Sequence, residues 1–471
     1  MRKTLYYISI FFISIVSRMA STIYYPEDID SLRFALSIIE FDITKLQPHF
    51  PGYVVFCALG KVAYFITNSI GLSFAIIGGL SIFVIIWAIH KIIEVKELSK
   101  TSLFCSSIIL LNPFIWLMSN RYMPDLLGAA CCLVCFYFLT KLNHKRLFIS
   151  IGYGLIGITA GIKLSFLPIL LVPFINGLID KEKIISKLAS FIVGCLIWII
   201  PMIYLTGLSN IIEFGSKHFA GHFLEYGGTI LVEFNLFDRI LMIIKALWAD
   251  GLGGYWLNRN FITYITSISL LVFIICGHRV FFKSNNDLNK KLISLVIPYI
   301  IWIFLFQNVL YKARHILPIL CIILVYLVLI FKENKKSSKT ILISSIIYLI
   351  SISMVTSKLI NQHIDGTAIY KAKNYLIENL KEKTIVSIPL INYYLRANNL
   401  DEKYIDIDLS NDKNNYNGLE KLDEFYLIGN FPNYFKNWET KVETSFYHNP
   451  YVNNMWPEIQ IHKLNKKKIS E

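Results

Sequence analysis

The chain has 471 residues, of which 55% are hydrophobic and 17% charged, and its formal net charge is +14. Soluble proteins average about 25% charged residues, because a water-exposed surface needs them. Together with a mean hydropathy of +0.53, this composition excludes disordered, collagen-like and small disulfide-rich chains and predicts a membrane protein. The basic charge indicates membrane topology, since cytoplasmic loops concentrate Lys and Arg, so we expect no nucleic-acid partner.

A helix that crosses a bilayer needs about 20 mostly apolar residues. Apolar runs of this kind predict eleven crossings, so the expected fold is a mainly α, polytopic bundle of transmembrane helices. The predicted spans are 4–20, 70–90, 102–119, 126–140, 147–162, 164–178, 188–206, 261–277, 292–310, 315–331 and 340–357. We expect the first of them to be a retained helix and not a cleaved signal peptide.

The orientation follows from the positions of the cations. Six short loops contain 19 Lys and Arg against 6 Asp and Glu; they are residues 1–3, 90–101, 141–146, 179–187, 278–291 and 332–339. They alternate with loops that lack this excess, which places them in the cytoplasm. We therefore expect a multi-pass protein of the cell membrane with a cytoplasmic N-terminus and an extracytoplasmic C-terminus.

Two domains are predicted, a transmembrane module at 1–357 and an extracytoplasmic domain at 358–471. The module has two large external loops, 21–69 and 207–260. Apolar stretches at 52–67 and 236–249 within these loops predict juxtamembrane helices or short extra spans.

The C-terminal domain is predicted to be a small α/β unit. Apolar residues recur at helical spacing from Ile369 to Leu380. Three short runs rich in β-branched and aromatic residues, at 384–388, 404–408 and 425–428, predict strands.

The first external loop contains the most informative residues for function. Glu27, Asp28 and Asp30 follow the first span closely, and His49 and Tyr53 precede the next apolar segment. An ordinary solvated loop explains these carboxylates equally well, because Asp and Glu often cap helices.

Other ionisable residues fall on the same predicted face of the membrane, namely Asp125, Lys163, Lys312, Arg314 and His315. Three of them have a structural alternative: Lys163 can snorkel from a helix end, Arg314 can anchor against head groups, and Asp125 can cap a helix. Ionisable groups at membrane depth are nevertheless costly and indicate function.

Cations beside carboxylates at a lipid–water boundary suit a substrate with a lipid-linked phosphate. A phosphate on an anomeric carbon is a good leaving group, so stabilising its negative charge can replace a general acid. One carboxylate that deprotonates the incoming hydroxyl, together with a cationic clamp, is then sufficient for sugar transfer.

At these residues the sequence resembles the GT-C superfamily of polytopic glycosyltransferases, in particular its protein O-mannosyltransferase-like and aminoarabinose-transferase-like branch. The resemblance rests on five short motifs in chain order across residues 18–318. They are Asp30 with Phe34 and Ala35, His49-Phe50-Pro51-Gly52-Tyr53, Pro124-Asp125, Gly161 to Lys163, and Arg314 to Pro318. Phe50 stands where the family pattern has a first proline.

The resemblance implies an inverting transferase that moves a hexose or pentose from a polyprenyl-phosphate donor to a protein, lipid or glycan. It makes Asp30 the base, with Asp28 as the neighbouring alternative. Asp125 becomes a second acid that orients the acceptor or helps Asp30 to bind a divalent metal, Mg or Mn. The residues expected to bind substrate are Arg18, His49, Tyr53, Lys163, Lys312, Arg314 and His315.

Two other functions are compatible with a polytopic chain. A transporter or flippase of a lipid-linked glycan would show internal repeats and charges near the bilayer midplane. The sequence shows no convincing repeat, and its charges cluster at helix ends. A receptor, or an enzyme-like remnant whose C-terminal domain binds a partner, is the third possibility.

Overall fold

The structure is a computed structural model that describes residues 2–140, 146–179, 183–225, 227–232, 235–283, 286–309, 311–334, 339–397, 403–407, 419 and 421–467. The chain forms two compact units. The helical unit contains Met1–Tyr24 and Arg33–Asn361. The C-terminal unit contains Gln362–Glu471 and also a short segment of the first loop, Tyr25–Leu32. The sequence places the domain boundary near 357/358 and gives no sign that this loop segment groups with the C-terminal residues.

Among the described residues, sixteen helices precede the C-terminal unit or lead into it. They are α1 (Arg2–Met19), α2 (Ile29–Ile39), α3 (Val54–Thr67), α4 (Ile70–Ile92), α5 (Lys100–Leu110), α6 (Pro113–Asn120), α7 (Asp125–Thr140), α8 (Arg146–Lys163), α9 (Leu171–Ile179), α10 (Ile184–Thr206), α11 (Leu208–Ala220), α12 (Leu236–Lys245), α13 (Ile262–Lys283), α14 (Asn286–Phe306), α15 (Leu317–Asn334) and α16 (Lys339–Asp365). Short 3₁₀ turns precede α9 and α15, and π-helical turns follow α11 and α12.

All the predicted spans are helical over most of their length, but the predicted number of eleven crossings is not confirmed. Within the described residues, six helical runs are both long and apolar enough to cross a membrane, or seven if the bent pair α5–α6 is one span. Others are shorter than the roughly 20 residues that a bilayer requires; α7, for example, has 16. The chain is thus a multi-pass, mainly helical membrane protein with fewer unambiguous spans than its apolar runs predict.

One of the six runs, Leu147–Ile179, folds back on itself. The Tyr153 hydroxyl donates a hydrogen bond of 2.6 Å to the carbonyl of Phe174. In a straight helix these residues would lie roughly 30 Å apart. α8 and α9 therefore form a hairpin, and its turn begins at Lys163, where the sequence predicts it.

Small residues let the neighbours of α8 pack closely. Gly157 of α8 lies against the backbone of α10 at Phe191 and Gly194, where any side chain would overlap the backbone. Gly128 of α7 lies against the side chain of Lys163, and the Cys135 thiol lies 3.5 Å from the Thr159 hydroxyl. These contacts make α7 antiparallel to α8, so that the start of α7 and the end of α8 meet.

The break between α5 and α6 is stabilised by a buried arginine. The two helices meet at a 57° bend, which begins where Asn112 caps α6 and Pro113 opens it. The bend removes helical donors from the last carbonyls of α5, and the Arg18 guanidinium donates to one of them, that of Leu110, at 3.0 Å. Arg18 also donates to Ser119 Oγ and lies 3.6 Å above the Trp116 ring.

The helical unit has two chemically different ends. At the Lys3 end, Lys3 pairs with Glu97 at 3.6 Å and Lys332 Nζ donates to the carbonyl of Ile93 at 2.7 Å. At the opposite end, which we name the Lys163 end, the α7 start meets the end of α8.

The C-terminal unit contains a five-stranded sheet, in agreement with the predicted α/β class. Its elements are α17 (Ala368–Asn379), β1 (Thr384–Ser387), α18 (Pro389–Arg396), β2 (Lys403–Asp406), β3 (Glu424–Ile428), β4 (Trp438–Tyr447) and β5 (Glu458–Lys466). The strand order is β2-β1-β3-β5-β4. β1 is parallel to β2 and β3, whereas β5 is antiparallel to β3 and β4.

Three of the strands and the helix α17 match the predictions, although residue 408 lies outside the described residues. β4 and β5 are not predicted. β4 is an edge strand whose side chains are mostly exposed, so it lacks the apolar alternation that identifies a half-buried strand.

Candidate active site

Asp125 is the centre of the candidate site in the helical unit. It is the first residue of α7, and its side chain is 1% exposed. A carboxylate in the first turn of a helix is stabilised by the positive end of the helix dipole. A buried charge still requires a counter-charge, because its desolvation is costly.

Two predicted cations supply that charge. Lys163, the last residue of α8, places its Nζ atom 3.2 Å from Asp125 Oδ1. Arg314 lies in the 3₁₀ turn before α15 and places its Nε atom 3.7 Å from the same oxygen. Asp125 and Arg314 are 189 positions apart in the chain, and the structure brings both together with Lys163 at the Lys163 end.

The predicted aromatic and histidine residues of the first loop adjoin this cluster. Lys163 Nζ lies 5.2 Å from the centre of the Tyr53 ring, within cation–π range. The Tyr53 hydroxyl lies 3.0 Å from His49 Nε2. Tyr53 has a φ of 48° at the start of α3, an uncommon conformation for a bulky residue and one that holds its ring towards Lys163.

Two histidines that the sequence analysis does not single out extend this arrangement. His218 stacks on His49 with a centroid distance of 5.7 Å, and His222 stacks on His218 at 6.3 Å. His222 donates to the carbonyl of Phe306 at 2.8 Å. Burial lowers the pKa of His222, and the charge of Lys312 lowers it further, so its ring is neutral at pH 7. In the sequence, the four-residue spacing of His218 and His222 could have indicated this pair, since it places both on one helix face.

The remaining predicted residues of the helical unit have different surroundings. His315 is buried next to Arg314, and its backbone carbonyl accepts a hydrogen bond of 2.9 Å from the Tyr299 hydroxyl. Lys312 is half-buried at the start of the same turn. Arg18 is tied to α5 and α6 by the contacts given above, so its substrate-binding role stays a prediction.

The first-loop carboxylates belong to the C-terminal unit. Asp28 Oδ1 accepts a hydrogen bond of 2.8 Å from the backbone N–H of Ser31, which is the capping role that the sequence analysis kept as an alternative. Asp28 Oδ2 accepts a second hydrogen bond, of 3.0 Å, from the Asn453 amide. Asp30 lies in the first turn of α2 and is 3% exposed.

The surroundings of Asp125 do not fit a divalent metal. Its carboxylate is paired with two cations, and a metal ion at that position would meet their charge. Among the described residues, no group of three or more His, Cys, Asp or Glu side chains is arranged to hold a metal ion. No step of the reaction below is therefore assigned to a metal.

Comparison with known proteins identifies the fold. No protein-family model and no curated protein matches the chain. Two crystal structures of ArnT from Cupriavidus metallidurans are similar over almost the whole length of both chains. The apo structure has a TM-score of 0.58 and 11% identity over 98% of this chain and 98% of that one. The structure bound to undecaprenyl phosphate has a TM-score of 0.56 and 10% identity over 98% of this chain and 97% of that one.

A third similar structure is the Archaeoglobus fulgidus oligosaccharyltransferase in complex with Zn and sulfate. Its TM-score is 0.49 at 12% identity, over 90% of this chain and 68% of that one. The two ArnT structures define the class: the chain has the fold of the GT-C membrane glycosyltransferases. The predicted resemblance to GT-C proteins is confirmed at the level of the fold.

Proposed function

We propose that this protein is a membrane glycosyltransferase that transfers a sugar from a polyprenyl-phosphate-linked donor to an acceptor on the outer face of the membrane. The observation that carries the proposal is the buried cluster of Asp125, Lys163 and Arg314 at one end of a GT-C fold. The similarity of the fold to ArnT, which has been crystallised bound to undecaprenyl phosphate, supports a lipid-linked donor.

The cluster suits the leaving group of this reaction. The bond between the anomeric carbon and the phosphate oxygen breaks, and the polyprenyl phosphate departs with the electron pair. Lys163 and Arg314 stabilise the negative charge that develops on the phosphate, which is the main requirement of the step. Asp125, at 3.2 Å from Lys163 Nζ, orients that ammonium group before the donor binds.

The base is a carboxylate of the first loop. The acceptor hydroxyl attacks the anomeric carbon from the opposite face, which inverts the configuration, and its proton passes to the base. Asp28 caps the first turn of α2 through Ser31 and accepts a hydrogen bond from the Asn453 amide, so both of its oxygens have a structural role. This favours Asp30 as the base, in line with the assignment implied by the resemblance.

The orientation is part of the proposal. The Lys3 end, with its basic loops, faces the cytoplasm, and the C-terminal unit lies outside. The test is a reporter enzyme that works only in the cytoplasm, fused after Glu471. Activity of this reporter would contradict the orientation.

The proposal is tested with purified protein in lipid vesicles that contain a polyprenyl-phosphate sugar labelled in its sugar. Membranes from a strain that lacks the gene supply the acceptor. Asp30→Asn should lower transfer by about 10² to 10⁴-fold, the usual effect of losing a base. Asp42→Asn is the matched control, because Asp42 lies in the same loop and caps only a 3₁₀ turn. Movement of the donor between leaflets without covalent transfer would contradict the proposal and favour a flippase.

A further inference from the structure

The first-loop segment Tyr25–Leu32 is held by side chains of the C-terminal unit through its backbone. The Tyr394 hydroxyl donates to the carbonyl of Pro26 at 2.6 Å. The Thr367 hydroxyl donates to the carbonyl of Glu27 at 3.0 Å. The Tyr25 ring stacks on Tyr370 with a centroid distance of 4.3 Å. These contacts fix the path of the chain on the N-terminal side of α2.

The acidic side chains of the same segment are fixed as well. Glu27 Oε2 lies 2.7 Å from His363 Nε2, and the two side chains are 0% and 2% exposed. Asp28 accepts from Asn453 Nδ2 at 3.0 Å while its other oxygen caps α2. Breaking a buried pair of this kind is costly, because the remaining charge stays buried. The segment is therefore clamped at two consecutive carboxylates.

The Asn453 amide is itself oriented by the surrounding backbone. Its Oδ1 atom accepts from the N–H of Met455 at 2.8 Å, which leaves Nδ2 directed at Asp28. His448 accepts from the N–H of Ala368 at Nδ1, so its Nε2 carries the hydrogen and donates to the carbonyl of Asn453 at 2.8 Å. Asn453 is thus linked through His448 to the first residue of α17.

From these contacts we infer that the C-terminal unit positions the catalytic base of the first loop. The inference rests on the proposed function and on Asp30 as its base. Asp30 follows the capped residue Asp28 by two positions in the first turn of α2. Fixing Asp28 fixes the start of the helix and hence the direction of the Asp30 carboxylate. Asn453, His363 and Tyr394 are positioning residues in this account.

The expected loss of kcat follows from the precise placement of groups that sugar transfer requires. A displacement of about 1 Å of a reacting group can cost about 10²-fold in rate. Loss of the Asn453 bond should therefore lower kcat, whereas the KM for the donor should change little, because the donor's phosphate is assigned to cations of the helical unit. A role limited to folding would lower the amount of active protein and leave the kinetics of the remainder unchanged.

The test compares Asn453→Ala with Asn392→Ala in the full-length protein. Asn392 is also a buried amide of the C-terminal unit that donates to a carboxylate, that of Asp406 at 2.7 Å, and within the described residues its hydrogen bonds go to Ser387, Ile405 and Asp406 instead of Tyr25–Leu32. We expect Asn453→Ala to lower kcat about 10-fold or more and to speed hydrogen exchange in residues 25–32. Asn392→Ala should do neither. Equal effects of the two variants on kcat, or unchanged exchange in residues 25–32 of Asn453→Ala, would overturn the inference.

A third variant gives a signature that a purely structural role would not produce. Asn453→Asp keeps the side-chain shape but places a second carboxylate against Asp28, which raises the pKa of one of the two acids. Its kcat relative to the wild type should rise as the pH falls, because protonation removes the repulsion. A ratio that does not change with pH would contradict the inference.

Asp30→Asn separates the failure of this inference from the failure of the proposed function. If Asp30→Asn retains full transfer, the proposed base is wrong, and the positioning role falls with it. If Asp30→Asn abolishes transfer while Asn453→Ala behaves like Asn392→Ala, only the positioning role is wrong.

Discussion

Lys163 and Asp125 form an ion pair whose side chains are 6% and 1% exposed. The desolvation cost of two such charges usually cancels most of their attraction, so a buried pair is poor evidence for stability alone. Arg314 Nε lies 3.7 Å from the same carboxylate oxygen, so two cations lie beside Asp125. Their side chains have the chemistry that binds a phosphate, which is the role proposed for them.

Lys163→Met should strongly destabilise the protein, by about 3 to 5 kcal/mol, because it leaves Asp125 buried without its closest counter-charge. Thermal unfolding in detergent measures this effect. The double variant Lys163→Met/Asp125→Asn should recover stability, because it removes both charges, yet it should remain inactive in sugar transfer. Full transfer by the stable double variant would exclude Lys163 from the phosphate site.

His462 of β5 is a buried histidine that should make the stability of the C-terminal unit depend on pH. Its ring is 2% exposed, and neither ring nitrogen has a hydrogen-bond partner among the described residues. Burial lowers its pKa below 6.5 in the folded protein. Between this lowered pKa and pH 6.5, the His462 side chain is therefore protonated in the unfolded chain and neutral in the folded chain.

The stability of the C-terminal unit should therefore be greatest above pH 6.5 and fall as the pH drops from 6.5 towards the lowered pKa of His462. His462→Leu should remove this part of the pH dependence, because leucine does not titrate. Hydrogen exchange of β5 at pH 7 and pH 5 measures this change in stability in the full-length protein. The same acid-induced increase in exchange in wild type and variant would show that another group is responsible.

At the scale of elements, the close contact of α8 and α10 brings Lys163 to its position at the end of the hairpin. The contact depends on glycine, because the α10 backbone lies where a side chain at Gly157 would be. Overpacking of a close helix contact usually costs about 1 to 3 kcal/mol. A side chain at position 157 would therefore disturb both the contact between α8 and α10 and the position of Lys163.

Gly157→Ala should lower the thermal stability and weaken the Lys163 site, although alanine is the better helix former. Gly154→Ala in the same helix is the control, since its added carbon would lie 3.4 Å from the Ser190 carbonyl, an ordinary contact. Gly154→Ala should be neutral or slightly stabilising. Equal unfolding temperatures for the two variants would show that α8 and α10 are less tightly packed than described.

The elements themselves are largely predictable from sequence, because apolar runs and turn residues are local signals. The hairpin turn at Lys163 and the first three strands follow from such signals. The exposed edge strand β4 does not, since its stability comes from pairing with β5. The number of eleven crossings is not confirmed, because an apolar run predicts a buried helix as readily as a spanning one.

The site is predictable in part for the same reason. Topology places Asp125, Lys163 and Arg314 on one face of the membrane without showing that they touch. Asn453 escapes sequence analysis altogether, because its partner Asp28 is 425 residues away and no local pattern marks it. For His218 the sequence offers only its four-residue spacing from His222, and its contact with His49 is visible only in the structure.

At the scale of the whole molecule, most of the net charge of +14 lies in the short loops that are proposed to face the cytoplasm. The short basic loops hold 19 − 6 = +13 of it, and residues 358–471 have 15 basic and 15 acidic side chains. The functional charges are a small remainder, the buried cations near Asp125. Lys163 and Arg314 belong to the helical unit, whereas Asp28 and Asp30 belong to the C-terminal unit.

The central claim is covalent transfer of a sugar from a lipid-phosphate donor. Mass spectrometry of lipids, glycans and membrane proteins tests it most directly, in cells with the gene deleted, restored, and restored as Asp30→Asn. The account predicts that one sugar modification disappears on deletion, returns with the wild-type gene and stays absent with Asp30→Asn. Return of the modification with Asp30→Asn, or identical covalent composition in all three strains, would contradict it.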